Sequence, residues 1–438
     1  MSQILFKIGY LLKRPEVLKH YKSFMHEENL PYEIRMENQW KQLKRIIEYA
    51  YDQIPYYKKV FERLRMTPKD IKSTEDFQKI PILTKDIIKR NRNDFFPKKN
   101  HAFKTVNSST GGSTGQPLKY CMTSDDYSRG VALLYRGFGM GGYKLGEKMA
   151  VVAGGSLLPN NKNVIKQKIY DYFLNQRHFS SFDLSDDVIE KIIVGLNKWK
   201  PKYLRGYSSS LYILARGILK YRFHLSYDLQ AIFSTAEKLL SNQRLIIQKA
   251  FQAPVFDGYG LNDGGLSAFE CKFHSGMHVD MERAYCEVVD DQGNPIDAKQ
   301  GKIIATSLHN YAFPFIRYDT GDRGIVSFHK CSCGRKGKVI TSIEGRSTDI
   351  IEINGKKTGS PVFTVLFGKF DIEQYQIIQK PDNRLIIKIV KGPEFSNQDE
   401  EYISEVIRSH IGDVDLQYDY CDSITPYNGA KHKFIVRE

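Results

Sequence analysis

The feature that most constrains the fold begins near residue 118, where short apolar runs start to alternate with amphipathic stretches. MAVVAGG, LQAIFST and PVFDGYG have the length and apolar density of buried strands, while DDVIEKIIVGLNKW repeats its apolar residues at helical spacing. Strand and helix in alternation predict a layered α/β architecture with substantial parallel sheet, because parallel neighbours need a crossover between them. Residues 301–326 read as more β-rich. After GRSTD at 345–349 the rhythm becomes strand, helix, strand, strand, helix, strand, a compact α+β unit of about ninety residues. The expected organisation is α/β, with a large multi-sheet N-terminal domain over 1–344 and a small mobile α+β domain over 345–438. Within the first, 1–100 reads as a basic helical leader: Ile4, Leu5, Ile8, Leu11 and Leu12 have helical spacing, and Trp40, Leu43, Ile46, Ile47 and Ala50 belong to a helix interrupted at Pro55.

Charge narrows the function classes. The chain carries 65 basic and 50 acidic residues, a net +15, and residues 1–100 hold 22 basic against 13 acidic. More than half of the excess therefore sits in under a quarter of the chain. No nucleic-acid module accompanies it, so no nucleic-acid partner is expected. An alternative is an anionic membrane surface under residues 1–25, with Lys7, Lys13 and Arg14 at the headgroups. No run reaches the ~18 apolar residues of a spanning helix. The start lacks an apolar core with a small-residue cleavage site, so the expected compartment is the cytoplasm, with peripheral contact at the inner membrane face as the variant.

Four polar islands carry chemistry. Residues 108–117 read SSTGGSTGQP; three glycines allow tight turns with exposed N–H groups, and hydroxyls add donors, which suits polyphosphate oxygens. The segment is not a Walker A loop, since Pro117 and a strand-like LKYCM follow. Gly258-Tyr259-Gly260-Leu261-Asn262-Asp263 offers a ring to stack a base and a carboxylate for magnesium. Arg317 to Asp322 places two carboxylates at a turn, where one can accept from a ribose diol. Gly345-Arg346 stands at the domain boundary. Each alone is also an ordinary turn; together they read as base, ribose, metal and phosphate contacts for ATP.

Six cysteines are too few for a disulfide scaffold. Cys331 and Cys333 form a C-x-C in a turn-like segment, and Cys271 and His274 are separated by two residues about sixty positions earlier. Cys271, His274, Cys331 and Cys333 make a Cys3His zinc set with no open position, the structural type. His278, His309 and His329 are rival fourth ligands, and a plain pair of turn cysteines is the alternative.

In these motifs the chain resembles the adenylate-forming superfamily of acyl-CoA synthetases, peptide-synthetase adenylation domains and luciferases, within it the phenylacetate–CoA ligase and CapK-like branch. The resemblance is carried by TGGSTGQP at 110–117, STAEKL at 234–239, GYGLND at 258–263 and NYAFPFIRYDTGD at 310–322. It continues through CSCGR at 331–335 with IEGRSTD at 343–349, and PYNGAKHKF at 426–434; ENQWKQLKRIIEYAYDQIPYY and IPILTKDII look like the branch as well.

The resemblance implies an adenylation domain followed by a mobile lid domain. It implies ATP-dependent activation of a carboxylic acid as its adenylate with pyrophosphate release, then transfer to a thiol of CoA or a carrier protein. CapK-like transfer to an amine or hydroxyl of a capsule or surface sugar is the alternative. It assigns Thr110, Gly111, Gly112, Ser113, Thr114 and Gly115 to the phosphates. Ala236, Glu237, Asp257, Gly258, Tyr259, Gly260 and Asn262 fall to the adenine side, Asp322 to the ribose, and Arg346 to the nucleotide near the hinge. Asp263 orients magnesium, Thr114 assists catalysis, and Lys431 bridges carboxylate and phosphate. The Cys/His segments match zinc-bearing relatives. Arg205-Gly206-Tyr207-Ser208 and Ser234-Thr235-Ala236 register on the acyl lining. Two departures stand out: Asn262-Asp263 replaces the usual Thr-Glu, and Thr348-Asp349 replaces Asp-Asp after Gly-Arg. Lys431, rather than Lys433, aligns with the mobile lysine.

Overall fold

The computed structural model describes residues 2–98, 103–109, 118–153, 161–181, 184–344, 350–353, 356–359, 363, 366–367, 369–422, 424 and 435–437. The leader is helical: α1 (Ser2–Lys13), α2 (Pro15–Glu27), α3 (Tyr32–Gln53), α4 (Pro55–Leu64), α5 (Thr74–Gln78) and α6 (Lys85–Arg90). Pro55 does not merely interrupt a helix; it opens α4, where its missing N–H and fixed φ cost nothing. Thr84 caps α6 by accepting from the Ile87 amide.

The leader is not a projecting arm. Tyr57, Phe61, Phe77 and Phe95 share one buried core with Phe313, Phe315 and Tyr318. The Tyr57 hydroxyl donates to the Pro314 carbonyl and accepts from the Ile316 amide, both at 2.9 Å. The Leu83 amide donates to the Arg317 carbonyl at 2.9 Å, and its carbonyl accepts from the Asp319 amide at 2.9 Å. The leader is thereby joined, backbone to backbone, to the RYDTGD segment.

A two-stranded hairpin, β1 (Thr105–Ser109) and β2 (Lys119–Thr123), flanks the Gly/Ser segment and runs directly into α7 (Ser124–Met140). The main sheet then builds by crossovers: β3 (Met149–Ala153), α8 (Asn161–Leu174), β4 (Gln176–Ser180), α9 (Asp186–Trp199), β5 (Tyr203–Tyr207), α10 (Ser208–Tyr221), β6 (Ala231–Thr235), α11 (Ser241–Phe251) and β7 (Val255–Gly260). The turn-linked strands β8 (Ser267–Glu270), β9 (Met277–Val279), β10 (Ala284–Val289), β11 (Gln300–Ser307), β12 (Tyr318–Lys330) and β13 (Lys336–Glu344) complete it. The order is β10-β11-β12-β13-β9-β8-β7-β6-β5-β3-β4. Strands from β4 to β7 pair in parallel, and the rest pair antiparallel. This mixed sheet matches the expected α/β class.

Beyond Glu344 the described strands form separate sheets. β14 (Ile350–Ile353) and β15 (Lys356–Gly359) make a hairpin. The strands β16 (Ile372–Gln379), β17 (Leu385–Lys391), β18 (Leu416–Tyr420) and β19 (Ile435–Arg437) form a four-stranded sheet with α12 (Asn397–Ile411). Ile351, Phe367, Ile377, Ile387, Ile403 and Ile435 give this unit its own core. The segment at 345–349, where the sequence places the boundary, lies outside the described residues.

Candidate functional site

In an open sheet with parallel strands, ligands bind beyond the carboxyl ends of the strands. β5, β6 and β7 end together, and their polar sequels interlock. Ser208 Oγ and Ser234 Oγ lie 2.6 Å apart, and the Glu237 carboxylate accepts from the Ser209 amide at 2.8 Å. Glu237 thus caps the start of α10, and Ala236, at φ +73°, makes the turn that returns it there. At the end of β7, a Cβ on Gly258 would stand 2.9 Å from the Phe269 ring, so only glycine fits. Burial, reinforced by the like charge of Glu270, raises the Asp257 carboxyl to about 7.

Two tyrosine–carboxylate pairs tie the next two motifs together. Tyr259 donates from its hydroxyl to Asp322 Oδ2 at 2.9 Å, and Tyr318 donates to Asp263 Oδ2 at 2.9 Å. Residues separated by more than fifty positions therefore share one locus. Asp263 is buried, and burial raises its pKa; the largest counter-effect is the positive charge of Lys85. Asn262 Oδ1 lies 3.4 Å from Arg283, which makes two 3.1 Å bonds to Asp126 on α7. A buried carboxylate with one hydroxyl donor and a lysine facing it suits a divalent cation and phosphate oxygens.

A second constellation lies along the strands that follow. Cys271, His278, Cys331 and Cys333 bring their ligand atoms within 4.8 Å of one another. Cys271 Sγ is 3.7 Å from Cys331 Sγ, and Cys333 Sγ is 3.5 Å from His278 Nε2. Ligands about 2.0–2.3 Å from a tetrahedral zinc sit roughly 3.3–3.8 Å apart, so the spacing fits. The local reason is pairing: β9 aligns His278 with Val339 of β13, and the β12–β13 turn, closed by the Cys331 amide on the Arg335 carbonyl, presents both cysteines there. His274 is not in the cluster. Its Nδ1 lies 3.1 Å from Glu270 Oε2, with Arg244 beside it, and its φ of +49° turns it toward Phe256. The rival His309 is engaged with the Glu282 carbonyl at 2.9 Å. The group that could hold a metal therefore contains His278 where the sequence reading placed His274.

Residues 350–438 match the family model described as the CapK C-terminal domain. Over 391 residues the chain is 26% identical to Protein CapK of Staphylococcus aureus, covering 87% of this chain and 84% of that protein. It is 24% identical over 404 residues to a phenylacetate-coenzyme A ligase of Thermus thermophilus, 87% of each. The fold matches a 2-hydroxyisobutyryl-CoA ligase, crystallised with 2-HIB-AMP and CoA, at a TM-score of 0.60 and 18% identity, over 94% of this chain and 93% of that one. The C-terminal segment thus matches the CapK family, and most of the chain is similar to CapK and to phenylacetate–CoA ligases.

In this CapK-like chain the structure assembles Asp257, Gly258, Tyr259, Gly260, Asn262, Asp263 and Asp322 around the ends of β7 and β12. Thr110, Gly111, Gly112, Ser113, Thr114, Gly115, Arg346 and Lys431 lie outside the described residues. Arg317, in the same motif as Asp322, points away: it is buried on Glu287 at 3.2 Å and on the carbonyls of Gln78 and Ile80. Sequence reasoning missed Lys85. It is half-buried, and no salt-bridge partner stands within 4 Å of it among the described residues. Its signal was its place in IPILTKDII, one residue after a helix cap.

Proposed function

We propose that this chain is an adenylate-forming ligase in which the loci around Asp263 and Asp322 hold ATP. The observation that carries the reading is the double pairing Tyr259–Asp322 and Tyr318–Asp263, which sets a diol acceptor and a metal-side carboxylate at one sheet end. A carboxylate oxygen of the acid attacks the α-phosphorus, and the bond to pyrophosphate breaks, leaving an acyl-adenylate. A thiol of CoA or a carrier then attacks the carbonyl carbon, AMP departs with the shared oxygen, and the thiol proton passes to solvent. Charge gathers on phosphate oxygens in the first step, so fixed cations and N–H donors supply the catalysis. Lys85 faces this region from the leader, Lys431 joins it from the C-terminal unit, and the 110–117 backbone with Thr114 cradles the phosphates. Arg346 belongs to the hinge about which that unit rotates. Asp263 would hold Mg2+, which neutralises the phosphate charge.

A zinc ion held by Cys271, His278, Cys331 and Cys333 would tie β8–β9 to the β12–β13 turn. With four protein ligands it has no open position, and its role is structural.

The test is pyrophosphate release over a panel of carboxylic acids, with and without CoA. A single burst without CoA that becomes turnover with it supports thiol transfer. Turnover that needs an amine or hydroxyl sugar instead favours the capsule-type reading, which the match of residues 350–438 to the CapK C-terminal domain supports. Acid-independent release ends the adenylation reading.

A peripheral membrane contact rests on one further observation. α1 exposes Ile4, Leu11 and Leu12, at 64, 59 and 77%, while Phe6 and Tyr10 face inward. Its neighbour α8 exposes Ile169 and Tyr172. α1 has no acidic residue, and Lys7 borders its apolar face. An apolar strip with a basic edge suits an anionic bilayer. Flotation with phosphatidylglycerol vesicles, lost in I8D/L12D, is expected; equal flotation of the variant refutes the contact. Among the described residues no helix is long and apolar enough to cross a membrane.

A further inference from the structure

Most arginines buried in the N-terminal unit have an acid. Arg136 has Asp280 and Glu282, Arg283 has Asp126, and Arg317 has Glu287, all within 3.2 Å. Arg205 has none. It sits on β5, aligned with Val151 of β3 and Phe233 of β6, and so shares their face of the sheet. That face is covered by α7, whose Phe138 ring lies 5.3 Å from the guanidinium carbon. On the far side of β3, His178 of β4 also aligns with Val151. Tyr135, Tyr207, Tyr10 and Tyr127 surround the cation closely enough to act on it electrostatically, yet among the described residues no carboxylate, carbonyl or hydroxyl bonds it.

Two facts make this a site rather than a packed interior. A guanidinium withdrawn from water without an anion is costly, and natural cores rarely retain one. Arg205 also keeps accessible surface although its strand is flanked on both sides and roofed by α7. Arg205 is next to the chemistry: Tyr207 leads into Ser208, which is locked to Ser234, and Tyr127 follows Asp126, the anchor of Arg283 beside Asn262.

We propose that Arg205 receives a second carboxylate carried by the acid, so that the substrate is a dicarboxylate whose apolar spacer lies among Phe138, Tyr127 and Tyr207. The planar fork of arginine matches a carboxylate in a bidentate pair, and the rings accept the hydrocarbon between the two acidic ends. One carboxylate reaches the α-phosphate of ATP and the other ends on Arg205. The assignment rests on the adenylation reading above and names its substrate class.

The experiment uses the full chain and pyrophosphate release on two matched pairs, butanoate against glutarate and phenylacetate against 4-carboxyphenylacetate. At least one dicarboxylate should exceed its partner in kcat/KM by about tenfold or more, as expected for one charged, well-formed pair. Arg205→Met should abolish that ratio by raising KM for the dicarboxylate more than for its partner, and Arg205→Lys should restore part of it. A wild-type preference for the monocarboxylate in both pairs overturns the assignment and leaves adenylation standing. So does an Arg205→Met variant that keeps the ratio, or one that loses both acids equally with a lowered melting temperature. Release with none of the four acids counts against adenylation itself and takes the assignment with it.

Discussion

Replacing Arg136 by Met tests how the leader, α7 and the sheet are held together. The guanidinium is 5% exposed and reaches Asp280 Oδ1 at 2.7 Å and both Glu282 oxygens at 2.8 Å; Arg35 from α3 adds only a 3.3 Å contact to Glu282. Methionine fills much of the volume but strands two buried carboxylates, a loss of about 3–5 kcal/mol. For about 340 residues unfolding together, the entropy of unfolding is near 0.7 kcal/mol/K, so the melting temperature should fall by roughly 4–7 °C. The sign of the pH dependence follows from the two acids. Burial raises Asp280 from 3.8 to about 6, so its contribution is present below 3.8 and lost as pH rises through 6. Glu282 is held at about 2, against burial, chiefly by Arg136, so its contribution is present above 4.5 and lost as pH falls through 2. Removing Arg136 moves both folded values upward, and the added loss appears as pH rises. The melting gap between wild type and variant should therefore be wider at pH 8 than at pH 5. Differential scanning fluorimetry at both pH values measures it, and R136M/D280N/E282Q should recover more than half of the loss. A pH-independent gap, or one under about 1 °C, refutes the reasoning.

Metal analysis of purified protein should find about one zinc per chain. C333S and H278A should each remove most of it, whereas H274A retains it; loss in H274A and retention in H278A would reverse the ligand assignment. Y259F removes the donor that fixes Asp322 and should raise KM for ATP about three- to tenfold with little change in kcat. An unchanged KM would separate Asp322 from the nucleotide. K85M should lower kcat/KM for pyrophosphate release about tenfold or more at an unaltered melting temperature, and full activity would remove Lys85 from the site.

The α/β layers were legible because periodicity is local: β3, β5, β6 and β7 each end where an apolar run meets a polar island. What the leader packs against was not. Tyr57, Phe61, Phe77 and Phe95 show as apolar positions on helices, but their partners Phe313 and Phe315 lie more than two hundred residues away. The Cys/His cluster of the fold differs from the expected set at one member for a related reason. His274 and His278 both follow Cys271 at plausible spacing, and only the β9–β13 register brings His278 to the cysteine turn. Glu237 was placed on the nucleotide side, yet its carboxylate is spent on the Ser209 amide, a capping role that STAEKL does not announce. Arg205 was read only as acyl lining; that no acid among the described residues pairs with it is a fact about neighbours.

The charge of the leader now has a physical setting. A basic arm for nucleic acid must project and adapt, whereas these helices are fixed by a buried aromatic core and by two backbone bonds from Leu83 to the strand that carries Asp322. Some leader acids are engaged across the interface, Glu28 with Arg335 and Glu33 with Lys336, beside the cysteine turn. That pairing uses basic groups of the sheet and leaves leader cations without those acids. One of them, Lys85, acts on Asp263 directly. A positive wall held rigidly against a triphosphate site raises the local concentration of a polyanion and stabilises charge that develops there, with no reorganisation at the moment of reaction. The excess that reads in the sequence as a separate basic segment thus brings at least one cation, Lys85, to Asp263, the carboxylate proposed to sit beside the nucleotide.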